Sequence, residues 1–138
     1  MLAAKNATES TFAALFVALA AVSLLVGGVG VANTMFISVL ERRREIGLRR
    51  ALGATRGQIR AQFLTEAVAL SGLGGAVGSV LGVLATLAYA TYQRWPVVLS
   101  LTTLGAGLGG AVVIGVLAGI SPSMRAARLT PTEALATS

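Results

Sequence analysis

Three long stretches of this sequence carry no charged side chain, and this feature most limits the folds that the chain can adopt. They cover residues 10–40, 67–93 and 95–124. As a helix, the first stretch would be roughly 45 Å long, whereas the hydrocarbon core of a bilayer is about 30 Å thick. Only 12% of the 138 residues are charged, against about 25% in a soluble domain. The sequence therefore predicts an all-α, integral membrane protein with three transmembrane helices.

The positions of the charges predict how these helices are oriented. We place transmembrane segments at about residues 12–38, 67–92 and 98–121, followed by a C-terminal tail at 125–138. Nine of the eleven basic residues lie between the first two segments or in the tail. Because basic residues favour the cytoplasmic side of a membrane, the sequence predicts a cytoplasmic C-terminus and an N-terminus outside.

A secretory signal peptide is the competing interpretation of the N-terminal stretch. Lys5, the apolar run after it and the small residues Ala18 and Ala20 resemble the parts of such a peptide. The apolar run continues well beyond Ala20, however, and this favours a helix that spans the membrane.

The basic segment between the first two apolar stretches, residues 41–66, is called the hinge below. It holds seven of the eleven basic residues and three of the five acidic ones. Gly53 is well placed to end a short helix, at about 45–53, in the left-handed conformation. Thr55 and Gln58 have the spacing of a capping box that begins the next helix. The sequence thus predicts a short cytoplasmic helix between the first two spans.

Two apolar patterns predict how the hinge packs. In the short helix, four apolar residues can share one side, with two arginines turned away: Ile46, Leu48, Ala51 and Leu52, against Arg49 and Arg50. The next helix starts with an apolar row: Ile59, Phe63, Ala67 and Leu70. Both segments are therefore predicted to be amphipathic and to lie at the membrane surface.

The tail contains a pattern that begins helices. Thr130 is placed to cap a helix, Pro131 suits the first helical position, and Glu133 suits the third. The sequence therefore predicts a short terminal helix at about residues 131–136.

Glycines separated by four positions recur in the second and third apolar stretches. They lie at positions 74, 78 and 82, at 105 and 109, and at 115 and 119. Such spacing allows two helices to approach closely and can form a specific dimer seam. Because 17 glycines in a short chain produce such pairs by chance, plain helix packing is favoured for most of them.

Several functions are excluded by the residue types that the sequence lacks. The chain has no Cys, His or Asp, and Lys5 is its only lysine. Disulfides, ordinary zinc sites, Ser–His–Asp or Cys–His catalysis and the GxxxxGK[ST] nucleotide loop all require these residues. We therefore predict no catalytic, metal-binding or cofactor-binding residue and no enzyme activity in this chain.

Three interpretations of the charged hinge follow from its composition. Contact with nucleic acid is disfavoured because no fold or aromatic platform supports it. A small structural membrane protein could use the hinge to bind anionic lipid, at about 1 kcal/mol for each arginine. A protein-docking element is favoured, since the glycines and the cap specify a shaped helix–turn–helix that a lipid anchor does not need.

One string in the hinge, together with two later groups, carries a family resemblance. The string is Glu41-Arg42, Arg44-Glu45-Ile46-Gly47, Arg49, Ala51 and Gly53-Ala54. The later groups are Phe63-Leu64 with Glu66-Ala67, and the ending Pro122, Ala126-Ala127-Arg128-Leu129, Pro131 and Glu133-Ala134-Leu135. In these residues the sequence resembles the C-terminal permease region of the FtsX-like/MacB-type ABC transporter family. The resemblance extends from about Phe12 to Ala136.

The resemblance implies that the chain is the permease component of an ABC transporter in a bacterial inner membrane. The hinge would be a coupling helix that sits in a groove of an ABC ATP-binding subunit, and a second permease copy or paralogue would complete the complex. ATP hydrolysis on the partner subunit would drive extracytoplasmic export or mechanotransmission. The implied contact residues are Glu45, Ile46, Gly47, Arg49, Arg50, Ala51, Gly53 and Ala54.

The sequence also differs from the pattern of this family. A complete permease has four spans, with a large extracytoplasmic domain between the first two. The first span and that domain are not in this sequence, which implies a fragment, a truncated product or one half of a split permease. A missing N-terminal permease half is then a further expected partner, and the part that selects a substrate lies outside this chain.

Overall fold

The computed structural model describes residues 1–136, and for Leu135 only the backbone. The described chain is helical, and its five helices are α1 (Leu2–Glu41), α2 (Arg43–Ala51), α3 (Arg56–Gln93), α4 (Leu101–Arg128) and α5 (Pro131–Ala136). The predicted tail at 125–138 ends in two residues that lie outside the described part.

Three of the helices are long and apolar enough to cross a membrane, namely α1, α3 and α4. They contain 40, 38 and 28 residues and are therefore about 60, 57 and 42 Å long, against about 30 Å for a hydrocarbon core. Most of their large apolar side chains are exposed, as lipid-facing helices require. The predicted all-α architecture with three spanning helices is thus confirmed, while the ends of the membrane-embedded segments stay predictions.

Helices α3 and α4 form an antiparallel hairpin that packs along two facing rows of small residues. Three contacts repeat at four-residue steps: Ala67 against Gly119, Ser71 against Gly115, and Gly75 against Ala111. A Cβ atom added at Gly119 would lie 2.6 Å from the Cβ of Ala67. Close approach of this kind maximises van der Waals contact, which is needed because lipid supplies no hydrophobic driving force between helices.

The pairing with α4 also sets which side of α3 is buried. Ile59, Phe63 and Ala67 of the predicted apolar row are buried, whereas its fourth member, Leu70, is 41% exposed and the next buried residue is Ser71. Gly115 of α4 packs against Ser71 and not against Leu70, so the buried row follows the four-residue step.

Of the glycine pairs in the sequence, the one at 115 and 119 lies in the seam between α3 and α4. Added Cβ atoms at positions 74, 78, 82, 105 and 109 would meet no heavy atom of the described chain within 4 Å. Of these pairs, the one at 115 and 119 therefore takes part in helix packing within the described chain, and whether the others pack against another helix stays a prediction. The other glycines lie on open helix surfaces.

The tightly packed core lies at one end of the helices, where α1 and α4 end and α3 begins. Its buried members are Met35, Val39, Ile46, Ile59, Phe63, Ala67 and Ala126. We call this part, residues 35–67 and 119–136, the basic end, because it carries nine of the eleven basic residues. By contrast, residues 1–23 of α1 are exposed throughout, so α1 extends away from the other helices.

Candidate functional site

The hinge contains the short helix α2, which follows α1 after the single residue Arg42. At its C-terminal end, Gly53 has a φ of 99°, a conformation that side chains disfavour. The amide of Ala54 donates to the carbonyl of Arg49 at 2.9 Å, and the amide of Gly53 donates to the carbonyl of Arg50 at 3.1 Å. These two bonds define a Schellman motif, so the predicted helix end at Gly53 is confirmed.

The start of α3 is held by a reciprocal pair of hydrogen bonds. The amide of Gln58 donates to Oγ1 of Thr55 at 3.2 Å, and the amide of Thr55 donates to Oε1 of Gln58 at 2.9 Å. The predicted capping box is therefore confirmed. Because hydrogen bonds also close the end of α2, the turn between the two helices is locally defined on both sides.

The inner face of α2 packs against the rest of the chain. Ile46 is 3% exposed and belongs to the core at the basic end. Gly47 is buried beside α5, where an added Cβ would collide with the Cβ of Ala134. Arg43 and Arg50 are half-buried on the same side. This spacing of three and four residues is that of one helix face.

The predicted apolar side of α2 is wrong, because Ile46 is the only one of its four members that faces the core. Leu48 is 55% exposed, Leu52 is 80% exposed, and Ala51 is also exposed. Leu48 lies about 200° around the helix from Ile46, so both cannot face the same core. Arg50 is not turned away either, because its Nη1 donates to the carbonyl of Ala54 at 3.0 Å.

Helix α5 covers the inner face of α2 and is itself capped. The amide of Glu133 donates to Oγ1 of Thr130 at 3.3 Å, and the amide of Thr130 donates to Oε2 of Glu133 at 3.5 Å. The predicted short helix at 131–136 is thus confirmed. Its Ala134 is fully buried, so the C-terminal segment and the hinge form one packed unit.

The eight predicted contact residues divide into three groups. The exposed members are Glu45, Arg49, Ala51 and Gly53; the half-buried ones are Arg50 and Ala54; the buried ones are Ile46 and Gly47. Sequence reasoning left out two exposed apolar residues, Leu48 and Leu52, which lie one turn apart on the outward side. Their angular distance from Ile46 was the signal that could have identified them.

Polar side chains tie the outer side of the hinge to α3. Arg49 donates from Nη1 to Oε1 of Gln62 and from Nη2 to Oε1 of Glu45, while Arg42 pairs with Glu66 at 3.4 Å. Such exposed pairs contribute about 0–1 kcal/mol each, so they orient the side chains more than they stabilise the fold. Within the part of the chain that the structure describes, acidic side chains are not grouped in threes that could hold a metal ion.

The arrangement at the basic end can be compared with known proteins. Residues 17–131 match the FtsX-like permease C-terminal family. The chain belongs to this family. The match covers most of the sequence, and it confirms the resemblance that the hinge motif indicated. The three helices that are long and apolar enough to cross a membrane fit a multi-pass permease domain.

Several relatives of this permease domain are longer proteins. Over 119 residues, 86% of the chain, it is 50% identical to the macrolide export ATP-binding/permease protein MacB of Nitrobacter winogradskyi. It is 47% identical over 117 residues, 85% of the chain, to the uncharacterized ABC transporter permease YknZ of Bacillus subtilis. A third relative, the probable syringafactin export ATP-binding/permease protein SyfD of Pseudomonas syringae pv. tomato, is 44% identical over 133 residues, 94% of the chain. The chain spans 18%, 30% and 20% of these relatives, respectively.

Proposed function

We propose that this permease domain is the mechanical transmitter of an ABC transporter, and that the hinge is the coupling element moved by an ATP-binding unit outside this sequence. That unit is a separate subunit or another part of a longer polypeptide. The names of the MacB and SyfD relatives join an ATP-binding part to a permease part, which supports the proposal. ATP hydrolysis then belongs to the ATP-binding unit and not to this chain.

The observation that carries the proposal is an exposed apolar pair on an otherwise anchored helix. Leu48 and Leu52 are 55% and 80% exposed at the end of the molecule where most charges lie. Full burial of a leucine contributes about 1.5–3 kcal/mol, so a groove that receives both gains appreciable affinity. The proposed contact surface is Glu45, Leu48, Arg49, Ala51, Leu52 and Gly53.

The buried face of α2 provides the route by which movement reaches the spanning helices. Ile46 packs in the same core as Val39 of α1 and Phe63 of α3. The backbone also continues from α1 into α2, because the amide of Ile46 donates to the carbonyl of Arg42 at 2.9 Å. Closely packed interiors are only slightly compressible. A displacement of α2 is therefore passed to α1 and α3, with Ile46 and Gly47 holding α2 in position.

The orientation and the assembly are part of the same proposal. The hinge and the C-terminus lie in the cytoplasm of a bacterial cell and the N-terminus lies outside, as nine of eleven basic residues at one end favour. A second permease copy or a paralogue completes the complex. The exposed outer part of α1, residues 1–23, leads towards extracytoplasmic parts that carry out export or mechanotransmission.

Substitution of the exposed leucines tests the coupling role. In the transporter assembled in lipid nanodiscs, the double variant Leu48→Gln/Leu52→Gln should bind the ATP-binding unit at least about tenfold more weakly, since each lost apolar contact costs about 1 kcal/mol or more. Permease-dependent ATP hydrolysis should fall accordingly. Leu101, which is 85% exposed at the opposite end, provides the control Leu101→Gln.

The outcomes separate the coupling role from a structural membrane protein with a lipid-binding hinge. Equal binding and hydrolysis by the double variant and the Leu101→Gln control would refute the coupling role. A lipid-binding hinge would instead bind anionic vesicles equally well with its sequence scrambled, and no ATP-binding unit would be retained by the parent chain.

A further inference from the structure

Four arginines at the basic end line a groove of two adjoining parts, which lies outside the proposed contact surface. One part of the groove, of about 210 Å³, is lined by Arg56 and Arg60 of α3 and by Arg128 of α4. An adjoining part, of about 350 Å³, is lined by Arg125 and Arg128 of α4. Met124 and Arg128 line both parts, so the two parts adjoin: the first lies between the start of α3 and the end of α4, and the second continues along the surface of α4.

The positive charge in this groove is not neutralised by the described chain. Arg42 and Arg49 of the hinge have carboxylate partners, Glu66 and Glu45. In residues 1–136, by contrast, the side chains of the four groove arginines form no ion pair and no hydrogen bond. Arg125 is nevertheless held in place, because its guanidinium lies 5.3 Å from the ring centroid of Phe36 on α1. The cluster is therefore partly preorganised and available to an anion.

The groove continues from the arginines onto an apolar strip of α4. Leu117, Ile120 and Met124 line it, and they share one helix face because of their spacing. They are 60%, 38% and 38% exposed. Leu117 lies about 16 Å along the helix from Arg128, towards the middle of the span. A charged end and an apolar strip of this length match an amphiphile with an anionic head and an acyl chain.

We propose that this groove binds one anionic phospholipid, with its phosphate among Arg56, Arg60, Arg125 and Arg128 and one acyl chain along the apolar strip of α4. Guanidinium groups suit phosphate because they donate two parallel hydrogen bonds to it. The first turn of α3, which contains Arg56, adds the favourable dipole of a helix N-terminus. Basic pockets between spanning helices are typical sites for anionic headgroups. The bound lipid would link α3 to α4, independently of the contact with an ATP-binding unit.

Lipid binding to the full chain in detergent tests the proposal, with native mass spectrometry to count bound phosphatidylglycerol or phosphatidylcholine molecules during a titration. The parent should bind one phosphatidylglycerol in preference to phosphatidylcholine. Arg60→Gln/Arg128→Gln should lower that affinity by about 30-fold, because each arginine near a membrane surface contributes about 1 kcal/mol. Lys5→Gln/Arg94→Gln removes the same charge at the other end and should leave the affinity unchanged.

Two further arms identify what occupies the groove. Ile120→Trp keeps all four arginines but fills the apolar strip, so it should also weaken phosphatidylglycerol binding. In the parent, millimolar inorganic phosphate should not displace the lipid. Displacement by phosphate with normal binding to Ile120→Trp would reveal a site for a soluble anion and overturn the proposal. The lipid proposal would also be overturned if Arg60→Gln/Arg128→Gln kept its affinity for phosphatidylglycerol but no longer bound the ATP-binding unit. The arginine cluster would then bind a protein partner.

Discussion

The contact between Gly47 of α2 and Ala134 of α5 is the most sensitive point of the hinge. An added Cβ at Gly47 would collide with the Cβ of Ala134 and would lie 3.7 Å from its Cα. The carbonyl oxygen of Pro131 is 3.8 Å away. Both neighbours belong to α5, so the collision cannot be relieved by rotating a flexible side chain. We expect Gly47→Ala to separate α5 from α2, and Gly47→Val to do so more completely.

The size of the effect follows from overpacking. Insertion of a methyl group into a tight contact costs about 1–3 kcal/mol. The higher helix propensity of alanine, worth about 1 kcal/mol over glycine, does not offset this cost, because α2 is helical whether α5 is docked or detached. Since 1.4 kcal/mol corresponds to a factor of ten, the detached population of α5 should rise about 5- to 150-fold. A free six-residue helix would also lose its helical structure.

Distance measurements between spin labels can detect this separation. The chain has no cysteine, so Arg44→Cys on α2 and Thr132→Cys on α5, both exposed, can be labelled specifically. Electron–electron double resonance should give one narrow distance distribution in the parent background and a broad, longer one with Gly47→Ala. In the assembled transporter, Gly47→Val should reduce permease-dependent ATP hydrolysis while insertion into the membrane stays intact.

Gly57 provides the matched control for this experiment. It is an exposed helical glycine of the hinge, and the nearest atom to an added Cβ is Oγ1 of Thr55 at 3.9 Å. Gly57→Ala therefore makes the same chemical change without a collision and should leave the distance distribution narrow. Indistinguishable distributions for Gly47→Ala and Gly57→Ala would refute the claim that the two helices need a glycine to meet.

Three other predictions concern the turn, the helix seam and the orientation. Gly53→Ala should lower the thermal midpoint of unfolding more than Gly53→Asn, because a left-handed conformation costs most side chains about 1–2 kcal/mol and asparagine less; equal midpoints would contradict this. Gly119→Leu should abolish the folded monomer on size-exclusion chromatography, since its Cβ would lie 2.6 Å from α3. Gly109→Leu, which places its side chain on an open surface, should leave the folded monomer intact. In intact spheroplasts, a membrane-impermeant maleimide should label Leu99→Cys but spare Ala51→Cys, and the reverse pattern would place the hinge outside.

Local features of the site followed directly from the sequence. The Schellman end at Gly53, the capping box of Thr55 and Gln58, and the cap of α5 at Thr130 are all formed by residues within a few positions of one another. Their hydrogen bonds join neighbouring residues, so residue type and spacing along the sequence are enough to favour them. The long uncharged stretches likewise required helices, because backbone groups in lipid must be satisfied within the segment.

The buried side of α2 could not be deduced in this way. Ile46 and the pair Leu48 and Leu52 are all apolar, and hydrophobicity alone does not say which of them meets the core and which remains exposed. That choice depends on α5. Ala134 packs so closely against α2 that only a glycine fits at position 47, and the neighbouring Ile46 then faces the core. Gly47 and Ala134 are separated by two spanning helices in the chain. The sequence by itself determined the helices and the caps at Gly53, Thr55 and Thr130, and only the tertiary structure decided which side of the hinge is exposed, because that side is set by contacts between distant segments.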